Sequence, residues 1–193
     1  LKSEEFNNLS NYLDRGGSLF LSQSRIKTNL QVQQALPIQS NIFSLLNAYG
    51  LDLQSNLVTD QICGRVNVQQ QMGPIRMNVP IEYPLLPVIR NFNADESIVA
   101  GLEQMQLIFA SEIKQDSASM GFVNFQPLFY TSDNSGELRG NFNLNPDPQQ
   151  NPFMRIFNKS KLILGARSEK KNSNGSVSQV ILVGDSEFIS DEG

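Results

Sequence analysis

The segment from Ser3 to Ser22 constrains the fold more than any other part of the chain, because it sets a helix, a glycine pair and an apolar strand in direct succession. Ser3 precedes Glu4 and Glu5, and Phe6, Leu9, Tyr12 and Leu13 then recur at helical spacing. Residues 4–14 therefore read as an amphipathic helix with its acids at the positive end of the helix dipole. Gly16 and Gly17 end it. The unbroken apolar run Leu19-Phe20-Leu21 that follows reads as a strand buried on both faces, as in a parallel sheet. Helix, glycine pair and buried strand together predict an α/β fold with a mostly parallel sheet.

Further along, residues 23–40 are polar and weakly periodic, which predicts a loop over the sheet edge. Ile42, Leu45, Leu46 and Tyr49 make the stripe of a second helix, with Ser40 or Asn41 as N-cap and Gly50 as the stop. A short strand at 56–59 ends on Asp60. The alternation Val66, Val68 and Ile75, Met77, Val79 predicts two strands joined around Gly73 and Pro74, a β-hairpin insertion within a β-rich stretch around 62–92. Pro80, Pro84 and Pro87 then make 83–92 an irregular connection. Strands are expected at 105–113, 122–130, 162–167 and 177–183, with a polar turn at 131–136, a proline-broken loop at 141–152 and a turn at Asn174-Gly175.

Function is constrained mostly by what is missing. The 193 residues contain no histidine and one cysteine, Cys63, so imidazole-dependent nucleophile systems, His/Cys zinc sites and an intramolecular disulfide are excluded. A net charge of −4 with scattered basic residues leaves no footprint for nucleic acid. No apolar run approaches the length of a membrane-spanning helix; the run Val180–Val183 is strand-sized. The chain starts at Leu1 without an initiator Met or signal peptide and stops at Gly193 where a new element begins, so it is expected to be one α/β domain, 1–193, cut from a longer protein.

What remains is carboxylate, lysine or tyrosine chemistry, or oxygen-only metal binding. Asp185 follows the run Val180–Gly184, at the carboxyl end of a strand where open α/β sheets carry ligands. Alternatively Asp185 or Ser186 caps the next helix while Phe188 and Ile189 pack inward, and capping accounts for these residue types without a ligand. Asp60 also ends a strand and could pair with Asp185 around Mg²⁺ or Ca²⁺, but no spacing rule joins them and an Asp that turns the chain accounts for each. Asp60, Asp185 and Ser186 therefore stand as binding candidates, with no catalytic residue, metal or cofactor expected. Gly16-Gly17 precedes a strand rather than a helix and is no phosphate loop. Lys170 and Lys171 read as a solvated pair in a polar turn, and Cys63 as a small apolar residue. The sequons at Asn8, Asn158 and Asn174 matter only in a glycosylated secreted protein.

Four pieces in order, Asn11-Tyr-Leu-Asp-Arg-Gly-Gly-Ser-Leu-Phe-Leu21, Leu45-Leu-Asn-Ala-Tyr-Gly50 leading to Asn56-Leu-Val-Thr-Asp60, Pro127-Leu-Phe-Tyr-Thr-Ser132, and Val183-Gly-Asp-Ser-Glu-Phe-Ile-Ser190, give the chain a wider resemblance. It resembles the extracytoplasmic domain of the gliding-motility-type ABC-transporter auxiliary proteins. The resemblance implies a flavodoxin-like or glutamine-amidotransferase-like domain without a catalytic triad, on the periplasmic side of the inner membrane and anchored by helices outside this chain. It also implies ABC permease and ATPase partners and, in some bacteria, a role in gliding motility; it supplies no catalytic residues. Residues 23–40 carry no family motif, and the start of the sheet is missing. The function expected is a non-catalytic auxiliary or scaffolding domain. The alternatives are a solute-binding module for sugar or peptide, with four tyrosines and no tryptophan arguing mildly against a sugar cleft, and a carboxylate-dependent hydrolase-like enzyme.

Overall fold

The computed structural model describes residues 1–72 and 75–189. Helix α1 (Ser3–Asp14) leads into β1 (Ser18–Ser22), then β2 (Ile26–Asn29), β3 (Gln34–Pro37) and helix α2 (Ile42–Ala48). There follow β4 (Leu51–Leu53), β5 (Leu57–Asp60), β6 (Cys63–Met72), β7 (Ile75–Ile89), β8 (Asn91–Phe92) and β9 (Met105–Gln106). The chain continues through β10 (Ile113–Gln115), β11 (Val123–Tyr130), β12 (Ser135–Leu138), β13 (Ile163–Lys171) and β14 (Val177–Val183), with short 3₁₀ turns at Pro152–Arg155 and Ser186–Ile189.

This is a mostly β protein, which corrects the expectation of a flavodoxin-like or amidotransferase-like parallel α/β fold. The central sheet has the order β1-β14-β13-β11-β8, and only the β1–β14 pairing in it is parallel. Parallel strands need a crossover of a dozen or more residues, usually helical, and the described residues hold two α-helices to make one. The tight turn at Asn172–Ser176 fixes β13 and β14 as antiparallel neighbours, with Asn172 N–H donating to Ser176 C=O at 2.8 Å and Gly175 at φ +84°.

The apolar run Leu19–Leu21 suggested a strand covered on both faces, but β1 is an edge strand and Phe20 is 49% exposed. The polar stretch 23–40 forms a hairpin, β2 against β3, instead of a loop. The β7 strand runs unbroken through Pro80, Pro84 and Pro87, where an irregular connection was expected. The β6 register skips residues 83–86, so Pro84 falls where no β6 residue asks for its N–H, and Pro87 meets the Leu107 N–H with its C=O. The expected turn at Gly73-Pro74 and the chain end at 190–193 lie outside the described residues. The strand expected over 105–113 is split into β9 and β10, because Phe109 sits at φ +53° between them.

Successive residues of β14 serve opposite faces of the sheet. Val180 and Leu182 join Leu13, Leu45 and Leu46 beneath the two helices, whereas Val183 packs with Leu107, Leu128, Phe129 and Leu164 on the other side. A third cluster, with Ile26, Leu57, Tyr83, Leu85, Phe142 and Leu144, gathers under the outlying hairpins. Gly184 follows β14 at a close approach of two backbone segments: a Cβ there would lie 2.1 Å from the Ser111 carbonyl oxygen. Its C=O accepts the Ser111 N–H at 2.7 Å.

Candidate functional site

Three places hold the polar groups worth weighing, and two of them contain the residues picked out in the sequence. Asp185 leaves β14 and is 1% exposed. One carboxylate oxygen accepts the Glu187 N–H at 2.8 Å, and the other accepts the Ile108 N–H at 2.7 Å. The first bond has the geometry of a cap on the 3₁₀ turn, and the second ties that turn to the segment before β10. Burial pushes the Asp185 carboxyl up to about 6 despite the two N–H donors. Ser186 N–H donates to Ser24 Oγ at 2.8 Å, and Ser22 Oγ donates to the Asp185 C=O, so the ends of β1 and β14 are stitched together. Phe188 and Ile189, expected to pack inward, are 39% and 64% exposed, since this turn is too short to present an inner face.

Asp60 is fully buried at the end of β5. It accepts hydrogen bonds from Ile62 N–H at 2.8 Å, Ser132 N–H at 2.7 Å and Ser132 Oγ at 2.6 Å. Both of its oxygens are thus committed to holding the chain after β5 against the chain after β11. Asp60 and Asp185 share no hydrogen-bond partner, and among the described residues no group of three or more His, Cys, Asp or Glu side chains could hold a metal ion. Lys170 lies at the end of β13 rather than in a turn, with its ammonium 4.9 Å from the centre of the Tyr49 ring. Cys63 is half-buried, and burial together with Glu82 pushes its thiol up, away from the reactive thiolate.

The third place is a cleft of about 710 Å³ between β12 and the proline-broken loop. Its walls carry side-chain amides from Asn141, Asn143, Gln150 and Asn158, with Phe153 standing 64% exposed among them. The loop is shaped by its own amides: buried Asn151 donates to the Asn143 C=O at 2.6 Å and the Asn145 C=O at 3.3 Å. At one wall Glu137 receives Asn56 Nδ2 at 2.7 Å and Arg139 Nε at 2.7 Å, with Lys159 at 3.5 Å. Burial acts to raise the Glu137 carboxyl, but these donors and cations outweigh it and hold the group below the usual carboxylate range. Glu112, behind it, is pushed up by burial although Lys114 and Arg139 stand 3.6 and 3.7 Å away.

Of the cleft residues the sequence singled out Asn158 alone, as a sequon, and none as a binding residue. The density of Asn and Gln between Asn141 and Asn158 was the available signal, but a proline-rich polar loop explains the same letters. The link from Asn56 to Glu137 joins residues 81 positions apart and left no local pattern.

With this geometry in hand, comparison with known proteins places the chain. An uncharacterized protein of Borreliella burgdorferi is 26% identical over 198 residues, covering 95% of this chain; the chain spans only 37% of that relative's length. No solved structure matches. A model of the family described as an ABC-type uncharacterized transport system matches residues 1–193, so the chain belongs to that family.

Proposed function

We propose that the domain is a non-catalytic scaffolding part of an ABC transport system, standing on the periplasmic side of the inner membrane. In this reading it is anchored by helices outside this chain and works against the permease and ATPase subunits. The observation that carries the proposal is the family match over the whole chain. The chemistry of the carboxylates supports it: Asp60 and Asp185 spend their oxygens on backbone N–H groups and a serine hydroxyl, and Glu137 is held by Asn56, Arg139 and Lys159. Such acids fix loops and are poorly disposed to move protons. The resemblance of the four sequence pieces extends the proposal to gliding motility in bacteria that glide.

The test is purification of the full-length protein from its native membrane in mild detergent, followed by mass spectrometry of its companions. An ABC ATPase and permease in stoichiometric amounts are expected. A protein that emerges alone would overturn the proposal.

A second reading, a solute-binding module, is favoured by the amide-lined cleft of about 710 Å³, a volume typical of small-molecule sites. Titration calorimetry with short peptides and with oligosaccharides, on the chain and its Asn158→Ala variant, checks it. Heat that disappears in the variant is expected, and no heat from either class retires this reading.

A further inference from the structure

The sequence of β1, Ser18-Leu19-Phe20-Leu21-Ser22, is a palindrome, and it lies on the open edge of the central sheet. Gly17 C=O accepts from Gln179 N–H and Gln23 N–H donates to Val183 C=O, so the odd-numbered residues face β14. Ser18, Phe20 and Ser22 consequently turn their backbone N–H and C=O groups outward. At Ser18 both outward groups are met by one side chain: the Tyr12 hydroxyl receives the Ser18 N–H at 3.2 Å and donates to its C=O at 3.1 Å. The Tyr12 ring can reach there because Gly17 has no side chain; a Cβ on Gly17 would lie 2.4 Å from it. Among the described residues nothing partners the outward groups of Phe20.

Natural edge strands are usually protected by a charge, a proline or a bulge, and β1 has none of these. Its middle residue is instead a half-exposed phenylalanine beside Ile181 of β14. We propose that the β1 edge is a self-association surface on which two copies of this chain pair their β1 strands antiparallel about a twofold axis through Phe20. Any strand presents the same patch from both sides of a twofold axis; the palindrome adds that each residue of β1 then faces one of its own kind, with no charge or proline set against a neighbour. Ser18 stands opposite Ser22, Leu19 opposite Leu21, and Phe20 opposite its own copy.

The outward-facing residues become the hydrogen-bonded pairs of the new ladder, and the two Phe20 rings become direct cross-strand neighbours. The Tyr12 hydroxyl competes with this ladder at Ser18 and so sets its strength.

Sedimentation across a concentration series, with amide hydrogen exchange in parallel, tests it. The wild-type chain is expected to dimerise, with protection of the Phe20 amide rising as protein concentration rises. Phe20→Lys would set like charges opposite each other on the axis and weaken the dimer at least ~10-fold. Phe20→Ser supplies the same reading without an added charge, and the melting curve of each variant shows that it folds. Tyr12→Phe keeps the ring on Gly17 but frees Ser18, so it should tighten the dimer several-fold. A chain that is monomeric at every concentration overturns the proposal, as does a dimer indifferent to these variants. A Phe20 amide protected equally in dilute full-length protein would show that another strand of the same polypeptide fills the edge, and also overturns it.

Discussion

Asp185 is where one side chain does most to join distant parts of the chain. Its two oxygens hold the Ile108 and Glu187 N–H groups, and its backbone C=O receives Ser22 Oγ. The carboxyl is raised from 3.8 to about 6 by burial, so the folded chain binds this proton more tightly than the unfolded chain does. The contribution is complete below the unfolded value and is lost as pH rises through 6. The shift corresponds to about 3 kcal/mol between pH 3 and pH 7. Urea unfolding at a series of pH values should show this fall in the wild type and a flatter profile in Asp185→Asn, which carries no titrating group at this position. An unchanged slope in the variant would remove Asp185 as its source. The position of Asp185 after a strand, and its fitness as a cap, were legible from Val180–Ser186 alone. Its bond to Ile108 was not, because the partner lies 77 residues away and is a backbone N–H, to which any residue type could contribute.

At the scale of elements, the local signals held where the chain is governed by its near neighbours. Helix α1, strand β1 and the turn at Gly175 lie where periodicity and glycine placed them. The errors fall where a partner strand decides. Residues 26–37 have too weak an alternation to predict a hairpin, yet Ile26 and Ala35 find the cluster around Leu57 and fix it. β7 runs on through its prolines with an irregular register: its pairing with β6 passes over residues 83–86, which include Pro84. The loop over 141–152 was expected, but not that its amides build a cleft wall. Asn151 makes this wall from within, 2% exposed and bonded to two carbonyls of the loop. In Asn151→Ala those carbonyls lose their donor, at a cost of about 1–3 kcal/mol. Limited proteolysis should then cut between 141 and 152 faster than in the wild type, with the rest of the chain resisting as before. Equal cutting rates would mean that the prolines alone hold the loop.

For the whole molecule, the decisive pairing is the least local one. β1 pairs only with β14, Ser18 meeting Gln179 and Ser22 meeting Val183, so the first strand of the central sheet waits for the last. A parallel edge strand of five residues has too little surface to stand alone, and β14 is also the sole neighbour on one side of β13. This is why the apolar run at Leu19–Leu21 misled: it marks a strand of a sheet, but neither its place at the edge nor how many of the other strands run the same way. A closure spanning nearly the whole chain also makes folding dependent on long loops, which slows it. A chain ending at Ser176 keeps both helices and most strands but loses β14, and with it the floor that Val180 and Leu182 provide beneath Leu13, Leu45 and Leu46. Circular dichroism of that truncation should show β structure without a cooperative thermal transition, and exchange of the β1 amides should be as fast as in a disordered peptide. A sharp transition with protected Leu19 and Leu21 amides would mean that β1 has a partner other than β14, and that the sheet is assembled from its opposite edge.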